Sequence, residues 1–505
     1  MGKFFITTPI YYVNDVPHIG HAYTTAAADV ASRFHRQLGD DVFFLTGSDE
    51  HGNKVEVAAL ERGVTPRQHV DEMVVKFKEV ARKLNATNDF FIRTTDPEHE
   101  AYVQSFIQKI YEAGDIYEST YSGLYCAACE AYLTEENLVD GLCPDHGTPP
   151  THMEERNYFF RLSAYQDRLA AHYREHPDFV QPRHRYNEAL SFIEQGLDDI
   201  SISRATLKWG IPIPWDESQV IYVWVDALIN YASALSYAES EDLTARFWPP
   251  TYHIMAQDIL KFHGIIWPAL LMSAGYELPE HLFIHGYLKL GGEKMSKTRG
   301  NVMDPFPLID QYGADPFRFY CFREVNFGQD GMVGEDSFKA RYNAELANEL
   351  GNLLSRSTSM IGKYRGGAVP AGRAAGESPL AAEAAEVAAR TREQLEAMDL
   401  SGALDTIWTL VRRLNRYVEE QAPWKQAKVG EDTALDATLW DLAEGLRLLA
   451  VLLHAFIPAT SAAILARLGL PDGAEAAAWD QAAWGLLPAG ATVIVGAPLF
   501  PRIED

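Results

Sequence analysis

The sequence predicts an α/β protein: a doubly wound parallel-sheet domain interrupted by a metal-bearing insertion, then an all-α helix bundle. Three observations predict it. Strand and helix patterns alternate over residues 4–115 and again after residue 221. Between these stretches Cys126, Cys129, Cys143 and His146 fall in the spacing C-x2-C-x13-C-x2-H. From about Arg341 the chain becomes long runs of Ala, Leu, Glu and Arg with helical periodicity.

The 505 residues suffice for about three domains of ~150 residues each, and 47% apolar composition permits sizeable cores. No apolar run reaches the ~18 residues that a spanning helix needs, and the N-terminus reads as a strand rather than a cleavable signal. Four unevenly spread cysteines are not a disulfide framework, so a cytoplasmic protein is expected. A formal charge of −26 argues against non-specific nucleic-acid binding, though a local basic patch can still hold a specific RNA.

In chain order, a strand at 4–7, a helix at 22–38, a strand at 42–46 and a helix from 53 read as half of a doubly wound sheet. Ligands of such sheets lie beyond the C-terminal strand ends, so the loops after both strands face one site. The first of these loops carries Pro17-His18-Ile19-Gly20-His21. Two histidines flanking a glycine, where a strand feeds a helix N-terminus, suit a phosphate, because free N–H groups and partial positive charge sit there. Gly20 lets a nucleotide lie close to the backbone, and the imidazoles can donate to charge developing on phosphate oxygen. The second loop carries Asp49, which can hold an ammonium group or cap the following helix.

Three thiolates and an imidazole at that knuckle spacing suit one tetrahedral, structural Zn²⁺, and Cys321 is left over as a buried thiol. The sheet is expected to resume near Ile221, with residues 221–231 starting as a strand and running into a helix. A strand at 252–256, a helix opening at Asp258 and a strand at 282–290 follow, which put Trp224, Asp258, Ile259 and His263 at strand ends. Lys294-Met295-Ser296-Lys297-Thr298 then forms a glycine-bounded loop whose two lysines can clamp a triphosphate tail. Residues 304–338 read as mixed helix and turn. Helices are expected at 348–360, 380–398, 403–420 and 435–453, with a short strand at 492–495 that folds back.

H-x-G-H near the N-terminus, paired with K-M-S-K-[S/T] a few hundred residues later, is the signature of class I aminoacyl-tRNA synthetases. Over its whole length the chain resembles the methionyl-tRNA synthetases. The resemblance implies a Rossmann-like catalytic domain at 1–115 and 221–300, a zinc-bearing connective insertion at 116–220, a stem-contact connector at 301–340 and an α-helical anticodon domain at 341–505. It implies that His18, His21, Lys294 and Lys297 are catalytic, and that Gly20 and Ser296 join them in binding ATP. For methionine it implies Ile10, Tyr12, Asp49, Trp224, Ala227, Leu228, Tyr231, Ile259 and His263, with Asp49 on the ammonium and the aromatic groups around the thioether. Asn352, Arg356 and Trp424 would read the anticodon of tRNA(Met), with Trp424 stacking on an unpaired base at the end of a helix. Mg²⁺ would accompany ATP.

Departures from the family are Leu228 where one branch has proline, Thr298 in place of serine, and one metal set where some members have two. No C-terminal β-barrel extension follows, so a monomer is expected. Three other readings stay open on the residues alone. Another class I synthetase would carry a larger editing insertion or zinc within its amino-acid site. A small nucleotidylyltransferase shares H-x-G-H but has no use for the helical domain. An RNA-binding protein that has lost catalysis would not retain both histidines and both lysines.

Overall fold

A computed structural model describes residues 2–126, 131–133, 135, 138–144, 147–239, 241–290, 293–294, 303–372, 377–471, 473 and 475–504. Its centre is a six-stranded sheet in which every neighbouring pair is parallel.

The chain enters it through β1 (Lys3–Tyr12), α1 (Ile19–Gln37), β2 (Asp41–Asp49), α2 (Asn53–Glu61), α3 (Pro66–Lys83), β3 (Phe90–Arg93) and α4 (Pro97–Glu112). The insertion follows as β4 (Ile116–Cys126), β5 (Ala131–Leu133), β6 (Thr151–Phe160), α5 (Gln166–Glu175), β7 (Val180–Gln181), α6 (Arg183–Gln195) and β8 (Ile200–Ser201). Then come β9 (Ser203–Arg204), β10 (Pro212–Ile213), β11 (Asp216–Ile221), α7 (Val223–Tyr237), α8 (Thr244–Phe247), β12 (Tyr252–Ala256), α9 (Trp267–Ala274), β13 (His281–His285), β14 (Leu288–Leu290) and β15 (Glu293–Lys294).

The central strand order is β3-β2-β1-β12-β13-β7, so the direction of winding reverses between β1 and β12. Strands of such a sheet are covered on both faces, which is why Phe4, Phe5 and Ile6 are all buried in sequence. Phe4 and Ile6 face one core with Phe44 and Ile254; Phe5 faces the other with Phe43, Leu45 and Met255. The expected strand at 4–7 is longer, with a register shift between Thr7 and Ile10 where Pro9 has no N–H to give.

Two expectations are corrected here. The chain at Ile221 is not a strand of the main sheet, because β11 pairs antiparallel with β9 and β10 in a small sheet of its own. Instead β7, from within the stretch read as insertion, supplies the far edge of the central sheet against β13. The expected strand at 282–290 splits into β13 and β14, which lie in different sheets.

The rest is mainly helical: α10 (Phe306–Tyr312), α11 (Ala314–Glu324), β16 (Gly331–Val333), α12 (Glu335–Arg341), a π-helical segment (Tyr342–Gly351) and α13 (Asn352–Arg365). The last three join end to end, so the helix is unbroken where the composition changes at Arg341. α14 (Ala381–Glu396), α15 (Leu400–Gln421), α16 (Pro423–Val429), α17 (Asp432–Leu453) and α18 (Pro458–Arg467) complete the bundle. In place of the expected strand at 492–495 there is a single bridge between Ala368 and Thr492.

One continuous core runs from the α1 face of the sheet into this bundle. Arg318 is fully buried within it, 2.6 Å from Asp29 of α1, and donates to the carbonyls of Phe456 (2.7 Å) and Ala455 (2.8 Å). A buried guanidinium survives only when its donors are satisfied this way. Among the described residues, no helix is long and apolar enough to cross a membrane.

Candidate active site

A cavity of about 300 Å³ opens at the C-terminal ends of β1 and β12, where the winding reverses. This switch point is where a doubly wound sheet leaves room for a ligand. The cavity is lined by Ile10, Tyr12, His18, Gly20, His21, Asp49, Trp224, Ala227, Leu228, Tyr231, Ile259 and His263. The first loop and the amino-acid wall expected from the sequence therefore meet in one place.

His18 is the N-cap of α1, with its Nδ1 accepting from the Gly20 N–H at 3.1 Å. His21 Nδ1 accepts from the His18 N–H at 3.0 Å, closing a reciprocal capping box, and the two rings stack at 3.8 Å. An Nδ1 that accepts a backbone N–H leaves the proton on Nε2, so both rings are set as Nε2–H donors. Capping thus occupies only the Nδ1 side of each imidazole. A Cβ on Gly20 would lie 2.9 Å from the His18 ring, so glycine keeps this packing possible.

Asp49 ends β2 directly beside Tyr12 of β1. It is buried and does not cap the next helix, since the N-cap of α2 is Gly52. The approach of β2 to β3 requires Gly47: a Cβ there would meet the Ile92 carbonyl at 2.3 Å.

Trp224 lies in the first turn of α7 rather than at a strand end, and stacks on Phe262 at 4.2 Å. Tyr231, on the same helix, donates its hydroxyl to His263 Nε2 at 2.7 Å, while His263 Nδ1 donates to the Ile259 carbonyl at 3.1 Å. Burial lowers the His263 pKa to about 4 and raises that of Tyr231, so both stay neutral. The wall around them is consequently uncharged, which suits a long apolar side chain.

Sequence reasoning did not assign Thr24 or His285 and placed Asp258 at a strand end without a role; all three also line the cavity. Thr24 Oγ1 lies 2.8 Å from His285 Nε2, tying α1 to the end of β13. The available signal was the rule that strand ends face the site, since His285 ends β13.

Lys294 lies in β15, paired with Lys289 of β14, so this part of the expected loop is a short hairpin. Ser296, Lys297 and Thr298 lie outside the described residues. Of the four expected metal ligands, Cys129 and His146 also lie outside them. Cys126 and Cys143 are both buried, and Thr148 links their surroundings. Its Oγ1 is 3.9 Å from Cys126 Sγ, and its carbonyl accepts the Cys143 N–H at 2.9 Å. Two buried thiols that share Thr148 as a neighbour, one at the end of β4 and one between β5 and β6, fit half of the expected ligand set, although among the described residues no set of three or more ligands assembles.

In the bundle, α15 stops at Ala422, which is left-handed (φ 44), and Pro423 starts α16. Trp424 therefore sits in the first turn of a new helix, not at the end of the old one. It is 39% exposed, and the Arg356 guanidinium lies 6.0 Å from its ring centroid. Arg356 also pairs with Glu419 at 2.6 Å. Asn352 is exposed one turn before Arg356 on α13, so the three residues expected to read RNA share one surface.

The family described as tRNA synthetases class I (M) matches residues 4–149 and 145–358. The anticodon binding domain of methionyl tRNA ligase matches residues 369–505. The methionine–tRNA ligase of Streptomyces coelicolor is 46% identical over 521 residues, covering 99% of this chain and 97% of that protein. That of Caldanaerobacter subterraneus is also 46% identical, over 99% of this chain and 79% of its own length. Among solved structures, Mycobacterium tuberculosis methionyl-tRNA synthetase in complex with methionyl-adenylate superposes with a TM-score of 0.94 at 40% identity, over 99% of this chain and 100% of that one. The apo form of the same enzyme gives 0.86 at 38% identity, over 100% of this chain and 99% of that one. Matched in this way along nearly its whole length, with its cavity at the switch point of the expected sheet, the chain belongs to the methionyl-tRNA synthetases of class I.

Proposed function

We infer that this protein is a methionine–tRNA ligase. It activates L-methionine with ATP to methionyl-adenylate and pyrophosphate, then transfers methionine to the 3′-terminal ribose of tRNA(Met), releasing AMP. The observation that supports this best is the single cavity that brings Asp49, the uncharged Tyr231–His263 wall and the two capped histidines together.

In the first step the methionine carboxylate attacks the ATP α-phosphate in line, so positioning and charge stabilisation carry the rate. Asp49 holds the substrate ammonium, while Tyr12, Trp224, Leu228 and His263 surround the thioether, with Ile10, Ala227, Tyr231 and Ile259 completing the wall. Gly20 admits the nucleotide, and the Nε2–H groups of His18 and His21 donate to the phosphates as charge develops there. Lys294 and Lys297 hold the departing pyrophosphate, and Ser296 joins them in binding ATP. Mg²⁺ bound with ATP would supply further offset of phosphate charge. No general base is assigned.

Zn²⁺ would be held by Cys126, Cys129, Cys143 and His146, with a structural role in the insertion. Asn352, Arg356 and Trp424 read the anticodon. The division at residues 115, 220, 300 and 340, a monomeric state, the absence of a membrane partner and a cytoplasmic location complete the reading.

The test is ATP–pyrophosphate exchange, run with each of the twenty amino acids and no tRNA. Exchange with methionine alone is expected. Exchange with a different amino acid would keep the class and overturn the pocket. Lys297→Ala should lower the exchange rate far more than methionine affinity, because its contact serves the transition state.

A further inference from the structure

Behind the cavity wall lies a buried cluster that the reaction above does not use. Asp226 of α7 is 1% exposed, and both its carboxylate oxygens are engaged. His51 Nδ1 lies 2.7 Å from one oxygen and His99 Nε2, on α4, lies 2.7 Å from the other. His99 Nδ1 is 2.7 Å from Ser233 Oγ, about two turns further along α7. His51 also approaches Glu100 at 3.8 Å and packs edge-on against Trp209.

A buried ionic cluster adds little to stability over an apolar core of the same shape, because desolvation offsets the attraction. What it does supply is direction and spacing. His51 follows Asp49 by two residues. Asp226 sits on the turn of α7 that carries Trp224 and Ala227. The His51–Asp226 contact therefore fixes the separation between the group that meets the substrate ammonium and the wall that meets its side chain. His99 and Ser233 keep the Asp226 carboxylate from swinging out of line.

The far side of the loop is held independently. Glu50 accepts from Arg93 Nε at 2.8 Å and Nη2 at 2.9 Å, and its carbonyl accepts from Trp209 Nε1 at 2.6 Å. With that side anchored, the His51–Asp226 contact is the adjustable dimension of the amino-acid pocket.

We propose that His51, Asp226 and His99 are positioning residues that set the length of the amino-acid pocket and so its preference for a methionine-sized side chain. The proposal rests on the methionine reading above and extends it to residues that touch no substrate.

The experiment is pyrophosphate exchange by the wild-type chain, Asp226→Asn and His99→Gln, with methionine, norleucine and ethionine, each with saturating ATP and then with ATP varied. Asp226→Asn should raise the methionine KM by about tenfold, the scale of one lost charge-assisted hydrogen bond, with the ATP KM unchanged within about twofold. The preference for methionine over ethionine should narrow. His99→Gln, which leaves the His51 contact in place, should move the same quantities less far, and it decides the question if Asp226→Asn does not fold. Unchanged methionine KM and selectivity, or parallel rises in the methionine and ATP KM values, would overturn the proposal while the methionine reading stands. Failure of the wild-type chain to exchange with methionine would overturn both.

Discussion

Replacing Trp424 with alanine separates RNA reading from amino-acid activation. The indole is 39% exposed, and the Arg356 guanidinium lies 6.0 Å from its ring centroid. An exposed ring face of this kind can stack on an unpaired base, a contact worth about 1–3 kcal/mol per base. Loss of one such contact lowers the kcat/KM for tRNA charging by roughly 5- to 150-fold. The Arg356 cation–π contact, worth about 0.5–1 kcal/mol at an exposed site, is made within the protein, so its loss bears on local stability rather than on charging. Trp424→Phe retains a stacking face and should fall between the two. Aminoacylation of tRNA(Met) transcript measures charging, and pyrophosphate exchange without tRNA serves as the control for folding and activation. Exchange falling in parallel with charging, or charging unchanged in Trp424→Ala, would refute the assignment of this surface to RNA.

Tyr231→Phe leaves His263 Nε2 buried without its 2.7 Å donor, which costs about 1–3 kcal/mol. A fall of that size in unfolding free energy is expected from urea denaturation, and unchanged stability would contradict the buried Tyr231–His263 bond. His172, His263 and His454 have pKa values lowered to about 4 by burial, from 6.5 in the unfolded chain. Between these limits the unfolded state binds more protons, so stability is full above about pH 6.5 and falls as pH drops toward 4. Urea midpoints should decline across that window, and a flat profile there would contradict neutral burial. Cys143→Ser should lower the zinc content of the purified protein, read by elemental analysis, and destabilise the insertion while β1 and α1 keep their structure. An equal zinc content in wild type and variant would remove Cys143 from the ligand set.

The legible parts of the sequence were those in which one local rule acts alone. Short continuous apolar runs marked β1 and β2, and the breaks at Pro and Gly marked the loop that His18 and His21 occupy. Placement of Trp224 failed because Ile221, Tyr222 and Val223 are apolar and β-prone, and a short apolar run does not say which sheet it joins. The edge strand β7 is two residues long and carried no periodic signal. The sequence placed the histidines at a helix start without showing what they cap; in the structure each accepts a backbone N–H through Nδ1 and also lines the cavity. The Asp226 cluster joins residues 51, 99 and 226, and no spacing rule reaches across such separations.

The unbroken helix from α12 through α13 has a mechanical consequence. It starts beside β16, which pairs with β14 next to the lysine hairpin, and it ends past Arg356 in the bundle. At ~1.5 Å per residue its roughly 30 residues reach about 45 Å. A continuous helix of that length acts as a ruler, joining its two ends with no loop between them. The π-helical turns from Tyr342 to Gly351 are the place where that ruler can flex, and a change in their winding would shift and rotate Asn352 and Arg356 together relative to the chemistry.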